Sequence, residues 1–374
     1  MATEIQPLPR DERPVRTLCI TAHPDRPEAE TFIGLAGRGF EMRVLCAPGA
    51  SERERIRAAG IEVAPLEIAR RIDRAAIARI EAELDASRPD VLHLFNNTAL
   101  SNGLIAARRR PCKIIAYRGI VGNVSYWNPA SWLRHLNPRI DRIVCVAEAV
   151  RVSLAEVRLL GLRIPPHKLI TIYKGHDPVW YEAGRIDRES LGLPRDAFVV
   201  GCVANWRPRK GIEVLLRACE RLASDSSLHL VLVGRMDDPA FLALIERSPM
   251  TGRIHRLGFR ADAARVAAAF DVAVLPSLRR EGLPKTVIEA MACGVPPVVT
   301  AVGGSPELVV AGKSGLVVPP GDAAVLAEAI RKLRASAELR KAMGAAARER
   351  IRAAFPIEAT VAQTAALYLD VMRA

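Results

Sequence analysis

Short apolar runs alternate along this chain with stretches whose apolar residues recur every three to four positions. In the first half the runs fall at 16–22, 42–46, 61–66, 90–95, 113–117, 142–147 and 168–173. Helical spacing is clearest over 28–41, 51–59 and 73–87. Apolar runs of this length, separated by helices, predict βαβ units and a parallel sheet buried on both faces. The pattern breaks over 174–196, where polar residues, Gly and Pro gather, and a linker is expected there. It then restarts, with strands at 198–204, 228–234, 253–258 and 271–277 and helices over 209–223 and 238–248. Another run, GLVVPPGD (315–322), closes the second sheet and leads into a helix. The tail, 355–374, reads as one amphipathic helix. The expected fold is therefore α/β, with two successive Rossmann-like, doubly wound domains, consistent with a length of 374 residues.

One segment combines this pattern with chemistry. DVAVLPS (271–277) predicts a strand, EGLPKTVIEAMA (281–292) a loop entering a helix, and GVPPVV (294–299) the next strand. Pro284 suits a first helical turn, Glu281 sits on the entering loop, and Glu289 lies more than a turn inside the helix. Gly282 permits close approach of backbone to a ligand, and first-turn amides form an anion site. Two carboxylates for hydroxyl groups beside amides for a phosphate suit a nucleotide sugar.

The E-x7-E spacing, followed by A-M-A-C-G-V-P, resembles the signature of the retaining family-4 glycosyltransferases of GT-B fold (glycosyl transferases group 1). The resemblance implies two Rossmann-like domains facing across a cleft, an N-terminal acceptor-binding domain (1–175) and a C-terminal donor-binding domain (176–354). It also implies that the terminal helix, 355–374, crosses back to the first domain. By the same resemblance Glu289 holds the ribose of the nucleotide, while Glu281 and the backbone of Gly282, Leu283 and Pro284 hold the donor sugar. NWRPRKG (205–211) resembles the phosphate-binding loop, in which an Arg five residues before a Lys-Gly pair grips the diphosphate. Lys210 and Gly211 match; Asn205 stands at the Arg position, and Arg207 is the nearest residue able to supply the guanidinium. Fixed cations there would stabilise charge gained by the leaving diphosphate. The turn around Phe259 corresponds to a nucleotide-base contact or to core. Gly303 and Gly304 read as structural, and KGHDP (174–178) as hinge.

The N-terminal half follows the resemblance mainly in layout. Where relatives carry a Gly-Gly loop after the first strand, this chain has AHPDRPEAE (22–30). AHPD also echoes the zinc-binding start of sugar deacetylases, but Arg26 replaces the second Asp and no matching His motif follows. Arg118 takes the place of a frequent His; it cannot act as a base, and it suits either an anionic group or a structural cap. Asn96 and Asn97 are candidates for sugar hydroxyls. Trp127, with Tyr126 and Trp132, suits sugar stacking, a membrane interface or lid packing.

Composition narrows the partners. The net charge of +13 favours anions: a nucleotide diphosphate or an acidic membrane surface. The basic residues are spread over both halves without a nucleic-acid motif, so no specific nucleic-acid partner is expected. Seven cysteines without a CxxC pair read as reduced, buried thiols. No run of 18 apolar residues and no apolar leader is visible, so a cytoplasmic protein is expected, peripheral on the inner face of the cell membrane if it binds lipid. No metal-ligand spacing occurs, and the expected chemistry is metal-independent, without a cofactor. The composite expectation is transfer of a sugar from a nucleotide-sugar donor to a glycan, lipid-linked or other hydroxyl acceptor, in cell-envelope polysaccharide or lipopolysaccharide-type biosynthesis. A glycosidase pair at Glu281 and Glu289 is disfavoured by the basic loop, because hydrolysis of a neutral glycoside needs no diphosphate grip. A nucleotide-sugar epimerase of the same fold and a silent binding module remain open.

Overall fold

A computed structural model describes residues 13–182, 184 and 186–373. The first residues of the stretch inspected for a leader, 1–12, lie outside the described residues. The chain divides into two compact units: one formed by the residues up to Gly175 together with Ile357 onward, the other by His176–Pro356.

In the first unit the strands are β1 (Arg16–Ile20), β2 (Glu41–Cys46), β3 (Glu62–Pro65), β4 (Val91–Leu94), β5 (Lys113–Arg118), β6 (Arg142–Cys145), the short hairpin β7 (Arg158–Leu159) and β8 (Leu162–Arg163), and β9 (Leu169–Thr171). Seven of them form a sheet in the order β3-β2-β1-β4-β5-β6-β9, parallel throughout. Leu18, Ile20, Leu92, Leu94, Ile114 and Ile143 are buried along it, because helices cover both faces. The helix Arg74–Ser87 begins where Asp73 accepts from the amides of Ala75 and Ala76. The terminal helix Ile357–Arg373 packs on Arg26–Ala36, where a β-carbon on Gly34 would stand 2.7 Å from Val361. Its Tyr368 is wholly buried, with the hydroxyl 2.8 Å from His93 Nδ1.

The second unit contains β10 (Phe198–Val203), β11 (Leu228–Val233), β12 (Ile254–Arg256), β13 (Val272–Leu275), β14 (Pro297–Thr300) and β15 (Leu316–Val318). Their order is β12-β11-β10-β13-β14-β15, again parallel. Leu215, Leu230, Phe241, Val298 and Ile330 are among the residues packed into its main core. Both sheets are doubly wound, as the alternation of runs predicts.

The local structure adds to the sequence pattern in several places and changes it at Pro284. Asn96 and Asn97, the candidates for sugar hydroxyls, stand at the head of a helix, Asn97–Ala106, which Asn96 caps. Pro284 is the cap residue rather than a first-turn residue, since the helix runs Lys285–Ala292. The helices Glu148–Ala155 and Ala337–Ala354 add to the elements the pattern predicts.

Candidate active site

In an open α/β sheet, loops leaving the carboxyl ends of neighbouring strands diverge where the strand order reverses, and ligands bind in that crevice. In the second unit the reversal falls between β10 and β13. The loop after β10 ends in a turn of 3-10 helix, Pro208–Lys210, and then Gly211 at φ 65°. A β-carbon on Gly211 would stand 2.1 Å from the Pro276 carbonyl oxygen, so only glycine lets the two loops meet. Leu278 N donates to Arg209 O at 2.8 Å, stitching them together.

Glu281, on the loop after β13, is buried at this seam. Its Oε1 accepts from Lys210 Nζ at 2.8 Å and Ser277 Oγ at 2.6 Å, with Arg209 Nη1 at 3.5 Å. Arg209 Nη1 also donates to the Arg280 carbonyl at 3.0 Å. Thr300 Oγ1 donates to the Ser277 carbonyl at 2.6 Å, so the end of β14 holds the residue that holds Glu281. Arg280 takes φ 61°, a conformation that costs a non-glycine residue energy and recurs where a neighbour must be aimed. Gly303, at φ 54°, lies against the Glu281 carbonyl, where a β-carbon would be 2.1 Å from the oxygen.

The structure thus brings Lys210 and Glu281 together and adds three residues that spacing did not single out: Arg209, Ser277 and Thr300. Arg207 precedes the 3-10 turn in extended backbone (φ −157°, ψ 140°) and is exposed. Arg209 is the guanidinium beside Glu281. Glu289 is buried in the helix Lys285–Ala292 and paired with Lys285 at 3.3 Å. Gly282 is buried and its carbonyl accepts from Gly304 N at 3.0 Å; Leu283 is half-buried beside it. Asn205 accepts from Arg235 N at 2.9 Å, and Gly234 N donates to Gly258 O at 2.7 Å, lacing the ends of β10, β11 and β12 together. Phe259 is not core: it is 69% exposed, with the Arg235 guanidinium 5.9 Å from its ring.

In the first unit the strand order reverses between β1 and β4, and Asn96 lies on the loop after β4. Its Oδ1 is taken up by the amides of Thr98 and Ala99 at the head of the helix. Asn97 is exposed. On the loop after β1, Asp25 caps the helix Arg26–Ala36 and, with Glu28, holds Lys174 Nζ at 3.1 and 2.8 Å. The AHPD motif therefore supplies a helix cap and an ion pair. Burial pushes the Glu28 carboxyl up against the pull of Lys174, while the carboxylates hold the Lys174 ammonium well above its ordinary range. Arg118 is buried with a guanidinium nitrogen on Gly122 O, and desolvation together with nearby Arg134 lowers it to about 10. Trp127 is 80% exposed. A cavity at the amino ends of β1, β4 and β5 is lined by Arg16 and Arg110, paired with Asp90 and Asp85, and by Arg88. Among the described residues, no group of three or more His, Cys, Asp or Glu side chains is gathered as for a metal, and no helix is long and apolar enough to cross a membrane.

Two parallel, doubly wound α/β units are consistent with the GT-B type of architecture. Residues 185–350 match Glycosyl transferases group 1, and residues 30–180 match Glycosyltransferase Family 4. The chain is thus related to the group 1 and family 4 glycosyltransferases. It is 31% identical over 189 residues to an N-acetyl-alpha-D-glucosaminyl L-malate synthase of Bacillus anthracis, covering 50% of this chain and 49% of that protein. It is 35% identical over 210 residues to a D-inositol 3-phosphate glycosyltransferase of Stackebrandtia nassauensis, covering 52% of this chain and 47% of that protein. The chain thus spans about half the length of these curated relatives. Among solved structures, a glycosyltransferase from Rickettsia africae superposes with a TM-score of 0.77 at 16% identity, covering 96% of this chain and 99% of that one. Anabaena HepE in complex with UDP-glucose superposes with a TM-score of 0.73 at 21% identity, covering 95% and 99%. At these identities the likeness is one of fold.

Proposed function

We propose that the protein is a retaining glycosyltransferase that moves a sugar from a nucleotide-sugar donor to a hydroxyl acceptor. The observation that carries this reading is the cluster of Lys210, Arg209 and Glu281 at the switch point of the second sheet. A leaving nucleoside diphosphate gains negative charge as the glycosidic bond breaks, and cations fixed in advance stabilise that charge without reorganising. Lys210 and Arg209 are the groups assigned to it, with exposed Arg207 able to swing onto the same diphosphate. Glu281 orients the two cations and offers its carboxylate to donor-sugar hydroxyls, while Glu289 holds the ribose. With this much fixed positive charge the reaction needs no divalent ion. Departure of the diphosphate on the face the acceptor approaches lets its oxygen take the acceptor proton, which accords with retention and with the lack of a base at Arg118.

The acceptor belongs to the first unit, where Asn97 and Trp127 present exposed polar and aromatic groups. The names of relatives include L-malate and D-inositol 3-phosphate. A structural neighbour at 17% identity, WaaG, is described as involved in lipopolysaccharide biosynthesis. We place this protein in cell-envelope polysaccharide or lipopolysaccharide-type synthesis, working at the cytoplasmic face of the membrane on a glycan or lipid-linked acceptor.

The test is a thermal-shift screen against UDP, GDP, ADP, CMP and their sugar conjugates, followed by product analysis. A nucleotide at tenfold excess over its dissociation constant stabilises the fold by about 1.4 kcal/mol. The expected result is a shift with one base, lost in Glu289→Ala, and transfer that requires an acceptor. A changed donor without any acceptor would establish an epimerase instead. No shift and no turnover with any donor would overturn the enzymatic reading.

A further inference from the structure

The hairpin β7–β8 adds little to the core, since Leu159 is half-buried and its other residues are exposed. Its register sets Leu159 opposite Leu162 and Arg158 opposite Arg163, with Leu160 and Gly161 as a two-residue turn. Both turn residues have positive φ, 48° and 83°. That is the pattern of a type I′ turn, whose first central position ordinarily takes Asn, Asp or Gly. Leucine is strained there, and the fold gives nothing in return: Leu160 is 94% exposed and Leu162 50% exposed. Arg158 and Arg163 are exposed as well, and like charges directly opposite one another repel. A strained turn, two leucines in water and a facing arginine pair all work against stability in solution.

The surroundings share this character. Val157–Lys168 contains Arg158, Arg163 and Lys168 and no acidic residue, although exposed Glu156 lies just before it. From Val91 to Ile140 the chain has six arginines, one lysine and no Asp or Glu, with Arg118 buried and Arg110 and Arg139 paired with Asp85 and Asp141 outside that stretch. That stretch includes exposed Trp127. Gly122 N donates to Ser153 Oγ at 3.3 Å, which ties the Trp127 loop to the helix Glu148–Ala155 leading into the hairpin. Val152, on that helix, is exposed too.

We propose that this hairpin is a membrane anchor that inserts Leu160 and Leu162 into an anionic bilayer while Arg158 and Arg163 pair with lipid phosphates. The dimensions agree. Leu160 lies two residues beyond Arg158, about 7 Å of extended chain, and interfacial segments bury their apolar side roughly 5–10 Å into the headgroup and acyl boundary. Charge complementarity selects the occupant: opposed arginines lose their repulsion between phosphates, and Trp127, on the loop tied to the preceding helix, is a residue type that favours the interface. A projecting finger of two leucines with a cationic collar fits a yielding surface better than a flat protein face. The inference stands independently of the transfer reaction proposed above.

The experiment is co-sedimentation of the full chain with vesicles of phosphatidylcholine alone or mixed with phosphatidylglycerol, across salt concentrations. The wild type is expected to bind the acidic vesicles and release as salt rises. Leu160→Asn places a residue the turn prefers, so its thermal midpoint should hold or rise, while vesicle affinity falls at least about tenfold. Arg158→Gln and Arg163→Gln should each weaken acidic-vesicle binding by about fivefold and flatten its salt dependence. Failure of the wild type to bind acidic vesicles at low salt overturns the proposal. So does Leu160→Asn binding as tightly as wild type, which would mean a contact of charge alone, without insertion.

Discussion

Lys210 Nζ lies 2.8 Å from Glu281 Oε1, joining two loops that leave neighbouring strands wound in opposite directions. Neither residue reaches the other through local sequence; the pair exists because the sheet reverses there. Glu281 holds the lysine, and the lysine is the group assigned to the diphosphate, so the two should act as a unit. Lys210→Met and Glu281→Gln are each expected to lower kcat/KM by about a hundredfold or more. The double variant should be little worse than either single one, because coupled residues are not additive. Steady-state rates of all four proteins, with the donor found by thermal shift, check this; additive losses would dissolve the pairing argument.

Gly211 and Gly303 set how closely these loops approach. Each has positive φ, and a β-carbon on either would press on a carbonyl, that of Pro276 or of Glu281. Gly211→Ala and Gly303→Ala should therefore destabilise the second unit by about 2 kcal/mol or more, from the backbone conformation and the displaced carbonyl together. Gly252→Ala is the control, since nothing lies within 4 Å of its β-carbon position. Urea denaturation separates them: a midpoint loss in the control equal to that in Gly211→Ala would refute the steric reading.

The alternation of apolar runs carried both sheets, and the E-x7-E segment carried Glu281 and Glu289, because buried parallel strands and a loop entering a helix leave strong local signatures. The identity of the second cation was not local. Arg207 and Arg209 flank one proline, and only the 3-10 turn at Pro208–Lys210 decides which guanidinium turns toward Glu281. Ser277 and Thr300 are invisible for the same reason: they matter through a hydrogen bond from the end of one strand to the end of another. The helix Asn97–Ala106 leaves little signal in the sequence, because Asn97 and Gly103 are poor helix formers. Gly103 is a packing choice, since a β-carbon there would stand 2.6 Å from Leu94. Ala337–Ala354 carries charge around most of its surface and buries few residues, so no apolar stripe announced it.

His93 and His135, both in the first unit, are buried and held neutral, each lowered to about 3 by desolvation. In the unfolded chain they titrate near 6.5. Below that pH the unfolded state takes up protons the folded state cannot, so stability falls with acidity from about 6.5 toward the folded value and is unaffected above it. Each histidine should remove about 2 kcal/mol between pH 7 and pH 5. His93→Gln can keep a hydrogen bond to Tyr368 while removing the titration. Calorimetry at the two pH values should show a smaller acid loss in His93→Gln than in wild type; equal losses would mean that His93 is already hydrated in the folded state.

Thr360 Oγ1 donates to the Tyr173 carbonyl at 2.7 Å and accepts from Gly175 N at 2.8 Å. One hydroxyl thus fastens the start of the terminal helix to the segment by which the chain leaves the first unit. Valine has nearly the same shape but offers neither donor nor acceptor, so Thr360→Val would remove the acceptor of the Gly175 amide and the bond to the Tyr173 carbonyl with little change in packing. Leaving such groups unsatisfied costs about 1–3 kcal/mol. The loss should be local to the first unit: amide exchange at Gly175 and along the first turn of Ile357–Arg373 should quicken, while the amides of β10 and β11 keep their protection. Thr360→Ser is expected to restore both, because it returns the hydroxyl and loses only a methyl group. If serine fails to rescue the exchange, the methyl packing and not the pair of hydrogen bonds secures the terminal helix.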